Sequence, residues 1–469
     1  MEAFEYEGQW WLPQDSEKTV SGTLHFSPDD GATLNLIGSF KEVRIGDQMI
    51  RPDIILGSSA KGKRITLFRC METHKEVSYP GFSVSSFYVG QVFVGVHFPR
   101  PEDVKFKRIF FRCSYIDDWV AKSGFDIQEK DDPYRLVVEF NRPEPIEGLV
   151  NDDLKILIHF QLVHPSRSTV QKEVNVKQKA WIEIVTKEEK SFDEYTSIMY
   201  HIQNFMSLGT ARPIYTVEID GRTEANQELV EGKALHLPIK IYYKQWGVPR
   251  QQEDLHPFDM LFTLNDILGD FRDYLGHWLE KADRLEPVYN LYFGTLHNPN
   301  MYLQHEFLSL AQAMESYHRR VFNNRETADE EHAERIKCII EATREKYRDW
   351  LIRKLEHSNE PTLRKRLTET CDKFSEIVDS FIPDRAVFIN KVVATRHYLT
   401  HYDPRRRPSA ADRSEMYYLT ETLKILVEVC LLGELGMDNR RINFLFGKSF
   451  MRKRQLDFLQ SKLNSTLTS

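Results

Sequence analysis

The chain has 469 residues, which is enough for roughly three domains of ordinary size or for two large ones. Hydrophobic residues make up 41% and charged residues 28%, so the composition is that of a globular protein and excludes a disordered or fibrous one. The balance of 63 Lys and Arg against 70 Asp and Glu gives a net charge of −7, which excludes a uniformly basic surface and permits a local basic site.

The sequence predicts a cytoplasmic protein without a membrane anchor. No stretch approaches the roughly 18 uninterrupted apolar residues of a spanning helix, since the best one, 417–432, contains Glu421, Lys424 and Glu428. The first residues lack the basic and then apolar pattern of a signal peptide. The five cysteines are scattered and form no CxxC pair, which is typical of a reducing compartment.

Residues 1–255 are predicted to form a β-rich domain. Short runs that alternate apolar and polar residues, such as 64–69, are separated by turn signals such as 28–31. Strands at this spacing are typical of an antiparallel sandwich or a jelly-roll-like barrel. The predicted strands are 19–26, 32–40, 64–70, 83–98, 107–115, 134–140, 155–163, 214–219 and 237–243, and one helix is predicted over 192–208.

Residues 256–469 are predicted to form a helical bundle, so the chain as a whole is an α+β multidomain protein. Long amphipathic stretches at 327–358 and 409–436 support the bundle, and prolines stand where its helices should begin or end. Two apolar stripes at helical spacing define its core, namely Leu303, Phe307, Leu310, Met314, Tyr317 and Val321 on one helix and Phe388, Val392, Thr395 and Leu399 on a later one.

Basic residues cluster near the C-terminus of this acidic chain. One cluster is Arg405, Arg406 and Arg407, and the segment 437–469 holds seven Lys or Arg against two Asp, including Arg452, Lys453 and Arg454. Such clusters can be solvated helix ends, or they can contact the phosphates of a nucleic acid. Under the second interpretation these six residues are candidate RNA contacts.

The sequence contains no P-loop, dinucleotide-binding fingerprint or GxSxG elbow, and we predict no cofactor. His397 and His401 have the i, i+4 spacing of a zinc helix. The second position of that motif is Tyr398 rather than glutamate, and no third ligand follows. We therefore predict no metal site.

The segment 394–404 could carry chemistry. Arg396 lies within the arc between Val392 and Leu399, so its guanidinium requires a carboxylate or an external anion as a partner. Pro404 should end the helix near Tyr402, which places His401 in the last turn, where the helix dipole interacts favourably with a cation. Arginine binds phosphate bidentately while histidine moves a proton, which is the chemistry of phosphodiester cleavage.

A structural interpretation of the same residues remains open. Arg396 could pair with a carboxylate such as Glu315, and His401 could be an ordinary helix-end residue. Positions five apart on a helix point about 140° away from each other. One copy of the segment would not place Arg396 and His401 on one substrate, but two copies about a two-fold axis would, which predicts a homodimer.

Three segments carry a resemblance to a known family. Arg396-His397-Tyr398-Leu399-Thr400-His401 resembles the R-x4–6-H motif of HEPN domains, with the Thr-His-Tyr ending of the ApeA-like group. The segment 307–318 resembles an earlier helix of that group. The Gly8-Gln9-Trp10-Trp11-Leu12-Pro13 segment, with 21–24 and 34–38, is similar to the N-terminal domain that accompanies ApeA-type HEPN modules.

The resemblance implies a metal-independent, dimeric ribonuclease of bacterial anti-phage defence. Arg396 would hold the scissile phosphate, His401 would be the general acid or base, and Glu315 would orient Arg396. The RNA 2′-hydroxyl would attack the phosphodiester and leave a 2′,3′-cyclic phosphate or 3′-phosphate end, so DNA would be spared.

One residue departs from the family pattern, because the residue after the arginine is often asparagine and is here His397. His397 could form the same hydrogen bonds, act as a second proton carrier or mark an inactive copy.

The second hypothesis for the whole chain is a non-catalytic HEPN module that dimerises or binds RNA, joined to a ligand-binding β-domain. Trp10 and Trp11 could be a ligand platform in that domain or part of its core. Under the first hypothesis the β-domain senses a phage-derived trigger and controls the nuclease.

Overall fold

The protein is described by a computed structural model that covers residues 1–41, 48–76, 80–129, 136–168, 172–230, 232–249 and 253–466. The chain forms two compact units. The first comprises residues 1–210, 214–257 and 262–276, and the second comprises residues 211–213, 258–261 and 277–469.

The first unit is rich in β-structure, as predicted. Its strands are β1 (Phe4–Leu12), β2 (Asp15–Ser27), β3 (Gly31–Ile37), β4 (Ile54–Ser59), β5 (Arg64–Glu76), β6 (Val84–Val94), β7 (Lys105–Cys113), β8 (Phe125–Glu129), β9 (Leu136–Phe140), β10 (Ile146–Val150), β11 (Leu154–Ser168), β12 (Glu173–Ser191), β13 (Thr216–Arg222), β14 (Gln227–Val230), β15 (Lys233–His236) and β16 (Ile239–Tyr243). Its helices are α1 (Ile116–Val120), α2 (Phe192–Thr210), α3 (Leu264–Ile267) and most of α4 (Phe271–Glu280), whose last residues belong to the second unit.

Strands β1 to β6 close into an antiparallel barrel. The order around it is β1-β2-β3-β6-β5-β4, and β4 returns to pair with β1 through Trp10↔Gly57. Closure leaves these strands without a free edge along the paired segments. The prediction of an antiparallel barrel-like domain is confirmed, with a barrel rather than two facing sheets at this end of the unit.

Inward-pointing side chains fill the barrel. Trp10 is fully buried and its indole N–H donates to the Gly22 carbonyl oxygen at 3.1 Å. A Cβ at Gly57 would lie 2.2 Å from the Trp10 ring, so this position must be glycine. Trp10 is therefore a core residue, whereas its neighbour Trp11 lies beside the His97 ring with centroids 5.4 Å apart.

Strand β6 extends the barrel into a second part of the same sheet. Its first half pairs with β3 and its second half with β16, after which the order continues β13-β7-β12-β11-β10. Helix α2, predicted from the apolar spacing of its sequence, packs against β7 and β12. The Tyr195 hydroxyl lies 2.7 Å from Thr186 Oγ1, which joins the helix to β12.

The change from strand to helix in the sequence precedes the division between the two compact units. Residues 262–276 are helical yet belong to the first unit, because Phe262 and Phe271 pack there. The Phe262 N–H donates to the Gly209 carbonyl oxygen at 3.0 Å, and the Phe271 and Trp119 rings lie 6.1 Å apart. The boundary predicted from the sequence is 255/256, whereas β16 ends at Tyr243 and α3 begins at Leu264.

The second unit is helical. Its helices are α5 (Ala282–His297), α6 (Leu303–Val321), α7 (Asp329–Ala342), α8 (Glu345–Leu355), α9 (Leu363–Lys373), α10 (Ser375–Val378), α11 (Arg385–His401), α12 (Arg413–Leu435), α13 (Asn439–Lys448) and α14 (Phe450–Thr466). None of the helices in the described ranges has the length and apolar character needed to cross a membrane.

Helix α12 is the centre of this bundle. A capping box between Asp412 and Glu415 starts it, and Gly436, at φ 101°, ends it in the left-handed conformation. Most of its side chains are buried, which is typical of a helix that is surrounded by others. It contacts α6, α11, α13 and α14.

The stretch 327–358 forms two helices rather than one. Helices α7 and α8 are separated at Thr343 and Arg344, whose backbone is not helical, and neither helix has a buried side chain. The apolar residues Tyr347, Trp350 and Ile352 are each about half exposed. The prediction that 327–358 is helical is confirmed, and both helices lie at the surface of the unit.

Candidate active site

Helix α11 carries Arg396, His397 and His401. Its N-cap is Asp384, whose carboxylate accepts from the Val387 N–H at 2.9 Å. It ends at His401, because Tyr402 adopts the left-handed conformation at φ 49° and Pro404 begins a 3-10 turn over Pro404–Ser409. The predicted helix end near Tyr402 is confirmed. The buried Val392, Thr395 and Leu399 orient the helix in the bundle.

Arg396 and Glu315 are brought together from two helices. Arg396 Nη2 on α11 lies 3.6 Å from Glu315 Oε2 on α6, and their side chains are 36% and 28% exposed. The distance is long for a hydrogen bond, so the pair is held chiefly by charge. Arg396 thus faces its predicted carboxylate and also keeps access to solvent.

Glu315 belongs to a longer series of charges that the sequence analysis did not identify. It also lies 3.9 Å from Arg319, which contacts Glu360 at 2.7 Å. Glu360 in turn lies 3.4 Å from Arg366, which is almost fully buried. The i, i+4 spacing of Glu315 and Arg319 was a usable signal, but their link to Glu360 depends on tertiary structure.

The two histidines share a face of α11, because residues four apart on a helix are neighbours. Arg396 lies about 100° around the helix from His397. Burial, together with the positive charges of Arg406, Arg396 and His401, lowers the pKa of His397 below its ordinary value of 6.5. The lowered pKa favours the neutral imidazole of His397 at neutral pH, and Arg406 is one of the charges that act on it.

The position of Arg406 leads to a testable prediction. In Arg406→Gln the pKa of His397 should rise towards 6.5, because removing a nearby positive charge stabilises the imidazolium form. The pKa is measured by NMR titration of the imidazole C–H resonances. Arg405→Gln is the matched control, since Arg405 contributes no resolved effect to this pKa. An unchanged His397 pKa in Arg406→Gln would show that the two groups do not interact.

The three consecutive arginines have different surroundings. Arg405 is paired with Asp403, with Nη2 2.9 Å from Oδ2, and this hydrogen bonding lowers the pKa of Asp403. Arg407 lies over the Tyr398 ring, 5.1 Å from its centroid. All three are exposed beside the end of α11.

Arg452 differs from the other candidate RNA contacts. It is 6% exposed, and its Nη2 lies 2.6 Å from Oε2 of the buried Glu428 on α12. Lys453 and Arg454 are exposed on the other side of α14. Successive residues on a helix point about 100° apart, so three consecutive basic residues cannot share one surface. We therefore remove Arg452 from the proposed RNA contacts and keep Lys453 and Arg454.

Across the described ranges, no three His, Cys, Asp or Glu side chains are grouped in a way that could hold a metal ion. His397 and His401 thus have no third ligand among these residues. The arrangement on α11 offers a guanidinium and two imidazoles, which can bind a phosphate and transfer protons.

Comparison with protein-family models supports both halves of this description. The model for ApeA N-terminal domain 1 matches residues 5–278, and the model for the Apea-like HEPN domain matches residues 308–441.

The chain belongs to the ApeA-like HEPN family. Searches of curated proteins and of solved structures found no significant match. The ApeA match includes α3 and most of α4, in agreement with the first compact unit. The HEPN match contains Glu315, Arg396, His397, His401 and the three arginines after α11, and ends before α14.

Proposed function

We propose that this ApeA-like HEPN protein is a metal-independent endoribonuclease of anti-phage defence that acts in the cytoplasm. The observation that carries the proposal is α11, which presents Arg396, His397 and His401 within the matched HEPN domain, with Arg396 positioned beside Glu315. The N-terminal domain would control the nuclease in response to a phage-derived trigger. The substrate would be RNA with exposed loops, such as tRNA.

The proposed reaction is an intramolecular transesterification. The RNA 2′-oxygen forms a bond to the adjacent phosphorus while the bond from phosphorus to the 5′-oxygen breaks, which leaves a 2′,3′-cyclic phosphate. The proton of the 2′-hydroxyl passes to a base, and the departing 5′-oxygen receives a proton from an acid. Arg396 would bind the non-bridging phosphate oxygens and stabilise their charge in the transition state.

The two proton transfers require two groups or one group that acts twice. His397 has a lowered pKa and is neutral at neutral pH, which suits the base, and His401 would then be the acid. Cleavage should therefore rise with pH through the lowered pKa of His397, and that acid limb should move to higher pH in Arg406→Gln. Glu315 would position Arg396 rather than react.

The geometry within one chain supports a site shared between two copies. Arg396 and His401 are five residues apart on α11 and point in directions about 140° apart. In a two-fold dimer, Arg396 of one chain and His401 of the other could face the same phosphate.

Mixing two inactive variants tests this arrangement. If the site is shared, mixed dimers of Arg396→Ala and His401→Ala retain one intact site, made from the unmodified residue of each chain. When equal amounts of the two variants exchange subunits, half of the dimers are mixed, and each mixed dimer has one intact site out of two. The mixture should therefore show about one quarter of wild-type cleavage. If each site lies within one chain, mixing restores nothing, and the shared site is excluded.

A second hypothesis is favoured by the Arg396–Glu315 pair itself. An arginine that already has a carboxylate partner can serve to hold α6 against α11, and the domain would then dimerise or bind RNA without cutting it. His401→Ala distinguishes the two hypotheses. If the protein is a nuclease, His401→Ala loses RNA cleavage and keeps RNA binding. If it is a binding module, His401→Ala changes neither measurement much.

A further inference from the structure

An open cavity lies on the sheet of the first unit, away from the barrel core. Its volume is about 320 Å³, at the small end of the range of roughly 300–1,000 Å³ for ligand pockets. Strands β7, β11, β12 and β13 form its floor, and Arg142 contributes from the segment between β9 and β10. The lining residues are Phe110, Arg142, His159, Phe160, Gln161, Trp181, Asp220 and Arg222.

The strand register places most of these side chains on one face of the sheet. His159 pairs with Trp181 across β11 and β12, and Phe110 pairs with Asp220 across β7 and β13. Cross-strand partners lie on the same face, and residues two apart along a strand share it. The opposite face carries buried aliphatic and aromatic residues such as Ile109 and Ile182. The cavity face includes Trp181, which is itself buried, and presents aromatic rings to the cavity.

Two guanidinium groups line the cavity without forming a salt bridge to any residue that the structure describes. Among the described residues, no carboxylate oxygen lies within 4.0 Å of Arg142 or Arg222, in contrast to Arg108, which pairs with Glu183. Arg222 is partly buried, with Cζ 5.3 Å from the Phe110 ring centroid, and its Nη1 donates to the Gly221 carbonyl oxygen. Burial lowers the pKa of Arg222, although the negative charges of the neighbouring Asp220 and Glu183 partly oppose this effect.

The acidic groups nearby are already neutralised. Asp220 Oδ1 lies 2.8 Å from Lys240 Nζ. Burial alone would raise the pKa of Glu183, but hydrogen bonds from His159 and Arg108 outweigh it and the pKa is lowered. Glu183 is thus an ionised carboxylate that already holds both partners. Arg142 and Arg222 are therefore the cavity cations that are not held in a salt bridge within the described ranges.

This combination defines a ligand by its chemistry. Guanidinium groups that form no salt bridge favour a phosphate, which they bind bidentately. Ring surfaces and an arginine plane favour a stacked planar base. The Gln161 amide and the Asp220 carboxylate can bind the polar edge of a base or the hydroxyls of a ribose. The cavity volume suits a small ligand rather than a chain.

We propose that this cavity, formed by Phe110, His159, Trp181 and Arg222 with Arg142 at its rim, binds a nucleoside monophosphate. This binding site is separate from the proposed catalytic residues and does not depend on RNA cleavage. The N-terminal domain would then bind a small molecule, at a site distinct from the one where RNA is proposed to bind.

The test is isothermal titration of the full-length protein with AMP, GMP, CMP and UMP in turn. At least one should bind, and Arg142→Gln and Arg222→Gln should each weaken it at least about tenfold, because each removes a charged hydrogen-bond donor to the phosphate. Arg142 is exposed, so its substitution leaves the fold intact even if Arg222→Gln does not fold. Arg51→Gln, an exposed arginine of the same unit outside the cavity, should bind as wild type does.

Four results would overturn the proposal. The first is that none of the four monophosphates binds. The second is equal affinity in wild type and in Arg142→Gln. The third is that adenosine or inorganic phosphate binds as tightly as the nucleoside monophosphates, or that a tetra-aspartate peptide binds and the nucleotides do not. The fourth is loss of nucleotide binding in Arg396→Ala, which would place the binding in the HEPN domain. Failure of cleavage with intact nucleotide binding would contradict only the proposed ribonuclease.

Discussion

Alanine at Arg396 or at His401 is expected to abolish RNA cleavage measured in EDTA. Loss of a general acid or base costs a factor on the order of 10² to 10⁴ in rate, and loss of the phosphate-binding guanidinium has an effect of similar size. The measurement is gel analysis of total bacterial RNA incubated with each purified protein, with phage-infected cell extract added to supply a trigger. Wild type should give discrete fragments that end in 2′,3′-cyclic phosphate or 3′-phosphate.

Two variants in the same helical unit provide matched controls. His305 and Arg440 are exposed and lie outside α11, so His305→Ala and Arg440→Ala should cleave as wild type does. Cleavage that persists in both Arg396→Ala and His401→Ala would show that the site is elsewhere. If no protein cleaves in the presence of extract while all bind RNA, the non-catalytic hypothesis is favoured.

The second large effect is expected from Arg452→Ala, which should destabilise the helical unit by about 3–5 kcal/mol. The substitution leaves the carboxylate of Glu428 buried without its charge partner. The Tyr292 hydroxyl, which donates to Glu428 Oε1 at 2.7 Å, cannot neutralise that charge. Urea denaturation followed by the helical circular dichroism signal measures the change in the free energy of unfolding.

Comparison variants separate this structural role from RNA contact. Lys453→Ala, one residue away on the exposed side of α14, should change stability by no more than about 0.5 kcal/mol. The double substitution Glu428→Gln with Arg452→Met should recover much of the loss, because neither charge then remains buried. A loss below about 1 kcal/mol in Arg452→Ala would mean that water reaches Glu428 and that the ion pair has little energetic role.

Local sequence signals predicted the segment that carries the candidate chemistry. Pro404 predicted the end of α11 near Tyr402, and the spacing of Val392, Thr395 and Leu399 defines its buried face. Arg396 follows from the same periodicity. These features depend on residues within a few turns of one another, so a single sequence is sufficient to identify them.

The sequence by itself determined the change from β-structure to helix, the ends of α11 and the family resemblance, because each depends on residues close together in the chain. Only the tertiary structure decided that β4 returns to β1 to close the barrel, that α7 and α8 lie outside the core and that Arg452 faces Glu428 rather than solvent. These outcomes depend on contacts between residues far apart in sequence. A periodic pattern shows that a helix or strand has an apolar or charged face, but which partner covers that face depends on how the distant elements pack.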